Sequence, residues 1–481
     1  MVSGKDGAPA VPSYGEVLRT PVFLPVFVAS TLSTWGDYIA RITVAAVVYT
    51  WTGSALATAA TFAVSLVPSI LGRALLAPLC DRLAPRTTLV GTHLVRAALV
   101  LLLVAAVRTT ESVGLVLGIV FVLEFVGGPA MTASQMLLTD LFPVRRVYAR
   151  AFGLTTLATQ VNQAIGLALG GVVVGLVGDT TALLLDLATF LVGAVVLAVV
   201  TPPKAVVDGA DGPLSGLLGD LAEGWRQIRT SSVLTMLLLL SLASALAAAA
   251  PEAVALPYAS DHAGSSAWGG LLMAAPILGA VAGLLLLGRL SAERQFRLVL
   301  RLALVMPLPL LVTIFEPPLP VVWTAWFVCG ALQSYMLPLQ SAFTLLVPTA
   351  MRGRVFGLAG ALSVGVTGLC FLAAGWVSEH TSPAASVGIC AVLTLGLFVL
   401  LAARWPGERM QEEIEATFAP VEPGAPEHLA GDALAEAVVA QDAVAKALVT
   451  EPGVAPADAE DGKPVPDPEP ADPALRRSSG G

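Results

Sequence analysis

Four ionisable side chains stand inside long apolar segments in the N-terminal part of the chain: Asp37, Arg41, Arg96 and Glu124. A charge in an apolar environment is unfavourable unless it is compensated, so each of the four is a functional candidate. Two chemistries fit this pattern. In the first, these residues handle protons or the substrate. In the second, the arginines are charge partners in structural ion pairs, as Asp37–Arg41 or Arg96–Glu124, that only orient the helices.

Glu124 is the first candidate for a proton carrier, and Asp37 is the second. A neighbouring guanidinium stabilises the charged form of a carboxylate, and Arg41 lies one helical turn from Asp37. Two more carboxylates belong to apolar segments farther along the chain. Asp186 is expected near the outer end of its segment, at the membrane interface, and Glu252 near the outer end of another.

Uncharged residues in the same segments supply two further sets of candidates. Amide side chains add polarity in the fifth and tenth segments and are candidates for lining a substrate cavity: Gln160, Asn162, Gln163, Gln333 and Gln340. Small residues let helices approach closely, and we expect helix packing at three glycines of the fifth segment: Gly166, Gly170 and Gly171.

The segments that hold these residues have the composition of membrane-spanning helices. Of the 481 residues, 56% are hydrophobic and 12% are charged, whereas soluble domains contain about 25% charged residues. A spanning helix needs about 20 apolar residues; β-barrel strands alternate in polarity instead. The sequence therefore predicts an all-α polytopic membrane protein with twelve transmembrane helices, at 23–50, 56–76, 89–107, 113–138, 152–177, 182–200, 233–256, 269–287, 298–314, 321–347, 356–377 and 384–403.

Positive charge predicts how these helices are oriented. Lysine and arginine are concentrated in alternate connections, and the opposite set of connections carries only Arg108. Cytoplasmic loops are enriched in basic residues. We therefore expect both termini in the cytoplasm, and the cell (plasma) membrane as the location.

The composition divides the chain into five parts. We predict a cytoplasmic N-terminal segment at 1–21, a six-helix half at 22–201, a cytoplasmic linker at 202–232, a second six-helix half at 233–405 and an acidic disordered cytoplasmic tail at 406–481. The tail is too poor in apolar residues to fold. The linker has apolar residues at helical spacing, which predicts an amphipathic helix either on the membrane surface or packed on the bundle.

The two halves repeat each other. Residues 129–138 resemble residues 338–347, and the sequence Arg-Ala-Phe-Gly-Leu at 150–154 is matched by Arg-Val-Phe-Gly-Leu at 354–358. Parallel repeats in a transporter are related by an axis along the membrane normal, with the substrate site between them. We therefore expect pseudo-symmetric halves that rock around a central cavity.

With these features, the sequence resembles the major facilitator superfamily over residues 15–405. The loop at 77–86 resembles the signature loop of that family, although Ala77 and Pro85 stand where glycines are usual. The resemblance implies a cytoplasmic gate. This loop contributes Asp81, Arg82 and Arg86 to the gate, and two related loops contribute Arg150 and Arg354.

Shorter motifs resemble the branch that contains macrolide-efflux proteins and the enterobactin exporter. They are Gly36-Asp37, Thr52-Gly53-Ser54 and the stretch at 223–229. Residues 166–171 resemble the antiporter motif, with Leu167 at a position where proline is usual. The resemblance implies proton-coupled efflux, as in multidrug resistance, of a hydrophobic or amphiphilic small molecule such as a drug, a macrolide or a siderophore-like compound.

Other classes of function find little support. None of the four histidines has a second ligand at HExxH spacing, and the sequence contains neither a GxSxG elbow nor a Walker loop. We predict no enzymatic activity, no metal, no cofactor and no nucleic-acid partner, and we expect a monomer in the lipid bilayer. An importer or facilitator of a small polar solute, or a non-transporting membrane receptor or scaffold, is the alternative.

Overall fold

The computed structural model describes residues 14–76, 83–202, 217–264, 267–348 and 351–405. These residues form helices and short connections, without a β-strand in the described ranges. The N-terminal half contains six long helices: α1 Phe23–Thr52, α2 Ala55–Leu75, α3 Pro85–Thr109, α4 Val113–Leu141, α5 Arg145–Val177 and α6 Asp179–Val200.

The second half repeats this arrangement. Its members are α7 Ser232–Ala263, α8 Ala267–Leu287, α9 Ala292–Val305 with the 3-10 helix Leu308–Phe315, α10 Leu319–Leu332 with Gln333–Tyr335 and Met336–Leu346, α11 Arg352–His380 and α12 Pro383–Ala403. Ten of the twelve are long and apolar enough to cross a membrane. The other two are α1, which has charged residues at its centre, and α10, which is divided by a 3-10 turn. The predicted all-α fold with twelve spans in two halves is confirmed.

Short connections with capping residues join the helices on one side of the bundle, where α1 ends and α2 begins. We call this side the opposite face. Gly53 ends α1 at a φ of +63°, a left-handed conformation that favours glycine. The hydroxyl of Ser54 then accepts a hydrogen bond from the backbone N–H of Ala57 at 3.0 Å and starts α2. The other side, where α2 ends and α5 and α11 begin, is the basic face.

Within each half, two helices cross with their backbones in contact. In the N-terminal half, α2 crosses α4 at Gly72, where a methyl group would overlap the carbonyl oxygen of Phe125. In the second half, α8 crosses α10 at Gly279, where a methyl group would overlap the carbonyl oxygen of Phe327. The two crossings occupy corresponding places in the repeat.

The halves contact each other along α2–α11 and α5–α8. Gly375 of α11 packs on Ala55, Leu56 and Ala59 of α2, and Gly270 of α8 packs on Gly171 of α5. These contacts bring the two halves together toward the opposite face.

A separate helix, Leu217–Thr230, precedes α7. It packs on the start of α11, where Gly224 lies against the backbone of Arg354. Ile228 is buried, whereas the side chain of Trp225 is 47% exposed. The described part of the linker is thus an amphipathic helix that contacts the bundle along one side. The tail at 406–481 and residues 1–13 lie outside the described residues.

Candidate functional site

The four predicted charges meet at the centre of the N-terminal half as two ion pairs between helices. Arg96 of α3 binds both carboxylate oxygens of Asp37 on α1, with Nη2–Oδ1 at 2.9 Å and Nη1–Oδ2 at 3.4 Å. Arg41 of α1 binds Glu124 of α4, with Nη2–Oε1 at 3.2 Å. The expected pairings Asp37–Arg41 and Arg96–Glu124 are therefore wrong. Asp37 and Arg41 lie on one turn of α1 but point to different neighbouring helices.

Aromatic rings cover the two guanidinium groups. The Arg96 guanidinium carbon lies 4.4 Å from the ring centroid of Phe190 on α6, and that of Arg41 lies 5.1 Å from the ring of Tyr38. Cation–π contacts of this kind are stronger in desolvated places. The ion pairs join α1 to α3 and α4, and the contact of Arg96 with Phe190 joins α3 to α6.

Asp186 joins this cluster, contrary to the interfacial position expected for it. Asp186 is 1% exposed, and its Oδ2 has no hydrogen-bond partner among the described residues. The side chain lies against Gly36 of α1, and the charges of Asp37 and Arg96 act on it. α6 begins at Asp179 and turns this residue toward α1, an orientation that the apolar window alone does not reveal.

A cavity of about 240 Å³ lies between the two halves. Helices α1, α2 and α5 of the N-terminal half and α7 and α11 of the second half supply its walls. Five polar or charged side chains line it: Tyr38, Arg41, Gln163, Glu252 and Thr367. Apolar residues complete the wall, including Phe62 and Phe371, whose rings stack with a centroid separation of 5.6 Å. The cavity can therefore hold a small molecule that has both polar and apolar parts.

Glu252 is the cavity residue that the sequence placed at the wrong depth. α7 continues through Pro257 to Ala263, so Glu252 lies well inside the helix rather than near its outer end. It faces the same cavity as Arg41. Its position immediately after Pro251 carried no signal of this depth.

The predicted amide residues do not act as one group. Gln163 lines the cavity. Asn162 instead joins α5 to α1, because it accepts a hydrogen bond from Trp35 at 3.2 Å and donates one to Thr31 at 3.1 Å. Gln333 and Gln340 do not line this cavity, and Gln340 is exposed. The side chain of Gln160 lies outside the described part of the chain.

The three predicted packing glycines lie where α5 touches its neighbours. Gly166 packs on Tyr38, and Gly170 on Ile39 and Ile42, all on α1. Gly171 meets Gly270 of α8 in the other half. One stripe of α5 thus contacts both halves beside the cavity.

The predicted gate is described only in part. Asp81 and Arg82 lie outside the described residues. Arg86 donates a hydrogen bond to the backbone carbonyl of Ala198 on α6. Arg150 and Arg354 lie near the beginnings of α5 and α11, at the basic face.

The sequence profile of the Major Facilitator Superfamily matches residues 26–363, more than half of the chain. The chain belongs to the Major Facilitator Superfamily. Membership places it among transporters rather than enzymes. No curated protein matches the sequence.

Solved structures share the fold at low sequence identity. The nucleoside transporter NupG matches with a TM-score of 0.61 and 15% identity, over 80% of this chain and 99% of that one. A bacterial homolog of the human lysosomal transporter Spinster, inward-facing and unoccupied, matches with a TM-score of 0.56 and 15% identity, over 90% and 100%. A variant of the E. coli fucose:proton symporter FucP matches with a TM-score of 0.51 and 16% identity, over 82% and 99%.

Proposed function

We propose that this protein is a proton-coupled secondary transporter that exports a hydrophobic or amphiphilic small molecule by alternating access. The cavity between the halves is the observation that carries the proposal, because its wall combines stacked aromatic rings with charged and polar groups. The motifs that resemble macrolide-efflux proteins and the enterobactin exporter support the direction. We propose that the protein is a monomer in the plasma membrane. We propose that both termini lie in the cytoplasm, because basic residues such as Arg150 and Arg354 lie at the basic face.

Proton coupling is proposed to act through Glu124, with Asp37 as the second candidate. Arg41 lines the cavity and is bound to Glu124 at 3.2 Å. When Glu124 takes up a proton, the charge of Arg41 is no longer compensated, and the electrostatic environment of the cavity changes. Proton binding and substrate binding are thereby linked through one guanidinium group. Asp37 faces α3 and lies outside the cavity wall, so it is less directly connected to the substrate.

The test begins with cells that express the gene or lack it. The cells are exposed to a panel of macrolides, cationic dyes and quaternary ammonium compounds, with and without an uncoupler. We expect resistance and reduced accumulation for at least one compound, and we expect the uncoupler to abolish both.

That compound is then followed in proteoliposomes containing Glu124→Gln. This variant mimics the protonated carboxylate, so transport against a gradient should be lost while downhill exchange continues. Glu111→Gln, which removes an exposed carboxylate between α3 and α4, is the matched control. Normal uphill transport by Glu124→Gln with unchanged pH dependence would exclude Glu124 and make Asp37 the candidate.

Import of a small polar solute is the second candidate function. The cavity volume of about 240 Å³ and its five polar or charged side chains favour it. NupG and FucP, which share the fold, are by name a nucleoside transporter and a fucose:proton symporter. Uptake of such a solute that depends on the gene, without any effect on the panel of amphiphilic compounds, would support import.

A further inference from the structure

Glu252 differs from the other carboxylates of the protein interior. It lines the cavity, yet it forms neither a hydrogen bond nor an ion pair with the described residues. The charged group that acts on it is Arg41 of the opposite half. Arg41 is already bound to Glu124 at 3.2 Å. Glu252 therefore has no cation of its own.

The acidic and basic side chains at the centre of the described bundle are unequal in number. Two arginines, Arg41 and Arg96, stand against four carboxylates: Asp37, Glu124, Asp186 and Glu252. Each arginine is bound to one carboxylate, so two of the four carboxylates have no arginine partner. Of the two that remain, Asp186 is enclosed between α1 and α6 at 1% exposure, whereas Glu252 borders an open cavity. Only Glu252 is placed to receive a positive charge from outside the protein.

The walls beside Glu252 fit an organic cation. Phe62 of α2 and Phe371 of α11, one from each half, line the same cavity and stack on each other at an interplanar angle of 20°. They give the cavity an apolar aromatic surface, which suits the body of a ligand whose charged group lies at Glu252. Besides Glu252 and Arg41, which is bound to Glu124, the polar side chains that line the cavity are the uncharged Tyr38, Gln163 and Thr367.

We propose that Glu252 is the binding residue for a positively charged group of the substrate, and that the substrate is an organic cation with an apolar or aromatic body. This inference rests on the proposed transport function and adds the charge of the molecule carried. The same arrangement accounts for the exchange of the substrate for protons. Protonation of Glu124 leaves Arg41 uncompensated on the same cavity wall, and the resulting positive charge repels the bound cation.

The inference is tested by binding of two permanently charged probes to the purified full-length protein. Phenyltrimethylammonium carries a cation on an aromatic ring, and benzenesulfonate carries an anion on the same ring. We expect phenyltrimethylammonium to bind more tightly than benzenesulfonate. Its affinity should fall on acidification, because a protonated carboxylate no longer attracts a cation.

Variants of one residue then identify the carboxylate. Glu252→Gln keeps the shape and removes the charge, and we expect it to weaken phenyltrimethylammonium binding about tenfold or more, since the attraction acts across a poorly solvated cavity. Glu252→Asp should retain part of the affinity, and Glu111→Gln should retain all of it. The thermal stability of each variant is measured in parallel, so a loss of binding is separated from a loss of folding.

The outcomes separate this inference from the proposed function. If benzenesulfonate binds better, if neither probe binds, or if Glu252→Gln binds phenyltrimethylammonium normally, Glu252 is not a cation site, whereas uncoupler-sensitive export of another compound would leave the transport function in place. If phenyltrimethylammonium binds in a Glu252-dependent way but a proton gradient never drives its export, the cation site stands and the proposed function fails.

Discussion

Arg96 holds Asp37 through both terminal nitrogens of its guanidinium group, and the pair lies at the centre of the N-terminal half. Removal of one partner from a buried ion pair leaves an uncompensated charge and costs about 3–5 kcal/mol of stability. We therefore expect Arg96→Ala to lower the free energy of unfolding by about that amount. Adding Asp37→Ala should recover part of the loss. Thermal unfolding in detergent measures both variants.

These variants form a double-mutant cycle of Arg96 with Asp37. A second cycle, of Arg96 with Glu124, tests whether the pairing is specific. Contacting residues show coupling energies of about 0.5–3 kcal/mol. The coupling of Arg96 to Asp37 should exceed its coupling to Glu124, which is bound to Arg41 instead. A stronger coupling between Arg96 and Glu124 would mean that the crossed arrangement is incorrect.

The residue types of the site could be predicted from the sequence, but not its connections. Charges within apolar segments identified Asp37, Arg41, Arg96 and Glu124. Spacing along one helix favoured Asp37–Arg41, whereas the structure joins each of them to a different helix. The partner of a buried charge depends on how every helix is rotated about its axis, and a single sequence does not contain that rotation for α1, α3 and α4 separately.

At the scale of helices, the crossings at Gly72 and Gly279 determine how closely neighbouring spans approach. Gly72→Ala places a methyl group on the carbonyl oxygen of Phe125, a backbone atom that cannot rotate away. We expect a loss of about 1–3 kcal/mol, as for other overpacked sites. Gly279→Ala should behave in the same way, because its methyl group meets the carbonyl oxygen of Phe327.

Gly91→Ala of α3 is the matched control. Apart from the neighbouring part of α3 itself, no described atom lies within 4 Å of the added methyl group, and alanine is favoured over glycine in helices by about 1 kcal/mol. Thermal unfolding of the three variants gives the comparison. Equal stability of Gly72→Ala and Gly91→Ala would show that α2 and α4 do not cross in contact.

Helix lengths explain where the predicted depths failed. The apolar window for the seventh span ended at residue 256, but α7 runs to Ala263 and includes both Pro251 and Pro257. The window for the sixth span began at residue 182, but α6 starts at Asp179, directly after Gly178. Proline and charged residues are poor evidence for a helix end when neighbouring helices can satisfy the backbone. Glu252 and Asp186 were therefore placed too near the surface.

For the whole molecule, a transport cycle requires the contact between the halves at the opposite face to open. Glu379 at the end of α11 connects the halves there, because it accepts hydrogen bonds from the hydroxyl of Ser54 at 2.7 Å and from the backbone N–H of Leu56 at 3.0 Å. Both donors lie at the N-terminus of α2, where the helix dipole also favours a carboxylate. Glu379 thus stabilises the state in which this face is closed.

Glu379→Gln should shift the population toward the state that is open at this face. Exposed charged contacts contribute about 0.2–1 kcal/mol, which corresponds to an increase of up to about fivefold in the open population.

The readout is a cysteine at the cavity residue Ala248, in a variant whose four native cysteines are replaced by alanine. A membrane-impermeant maleimide is added to intact cells, and its rate of reaction with that cysteine is measured. Glu111→Gln, another exposed carboxylate, should leave the rate unchanged. An unchanged rate in Glu379→Gln would show that this contact does not limit opening. Faster labelling in inside-out vesicles but not in intact cells would show that the opposite face is cytoplasmic, and the proposed orientation would then be wrong.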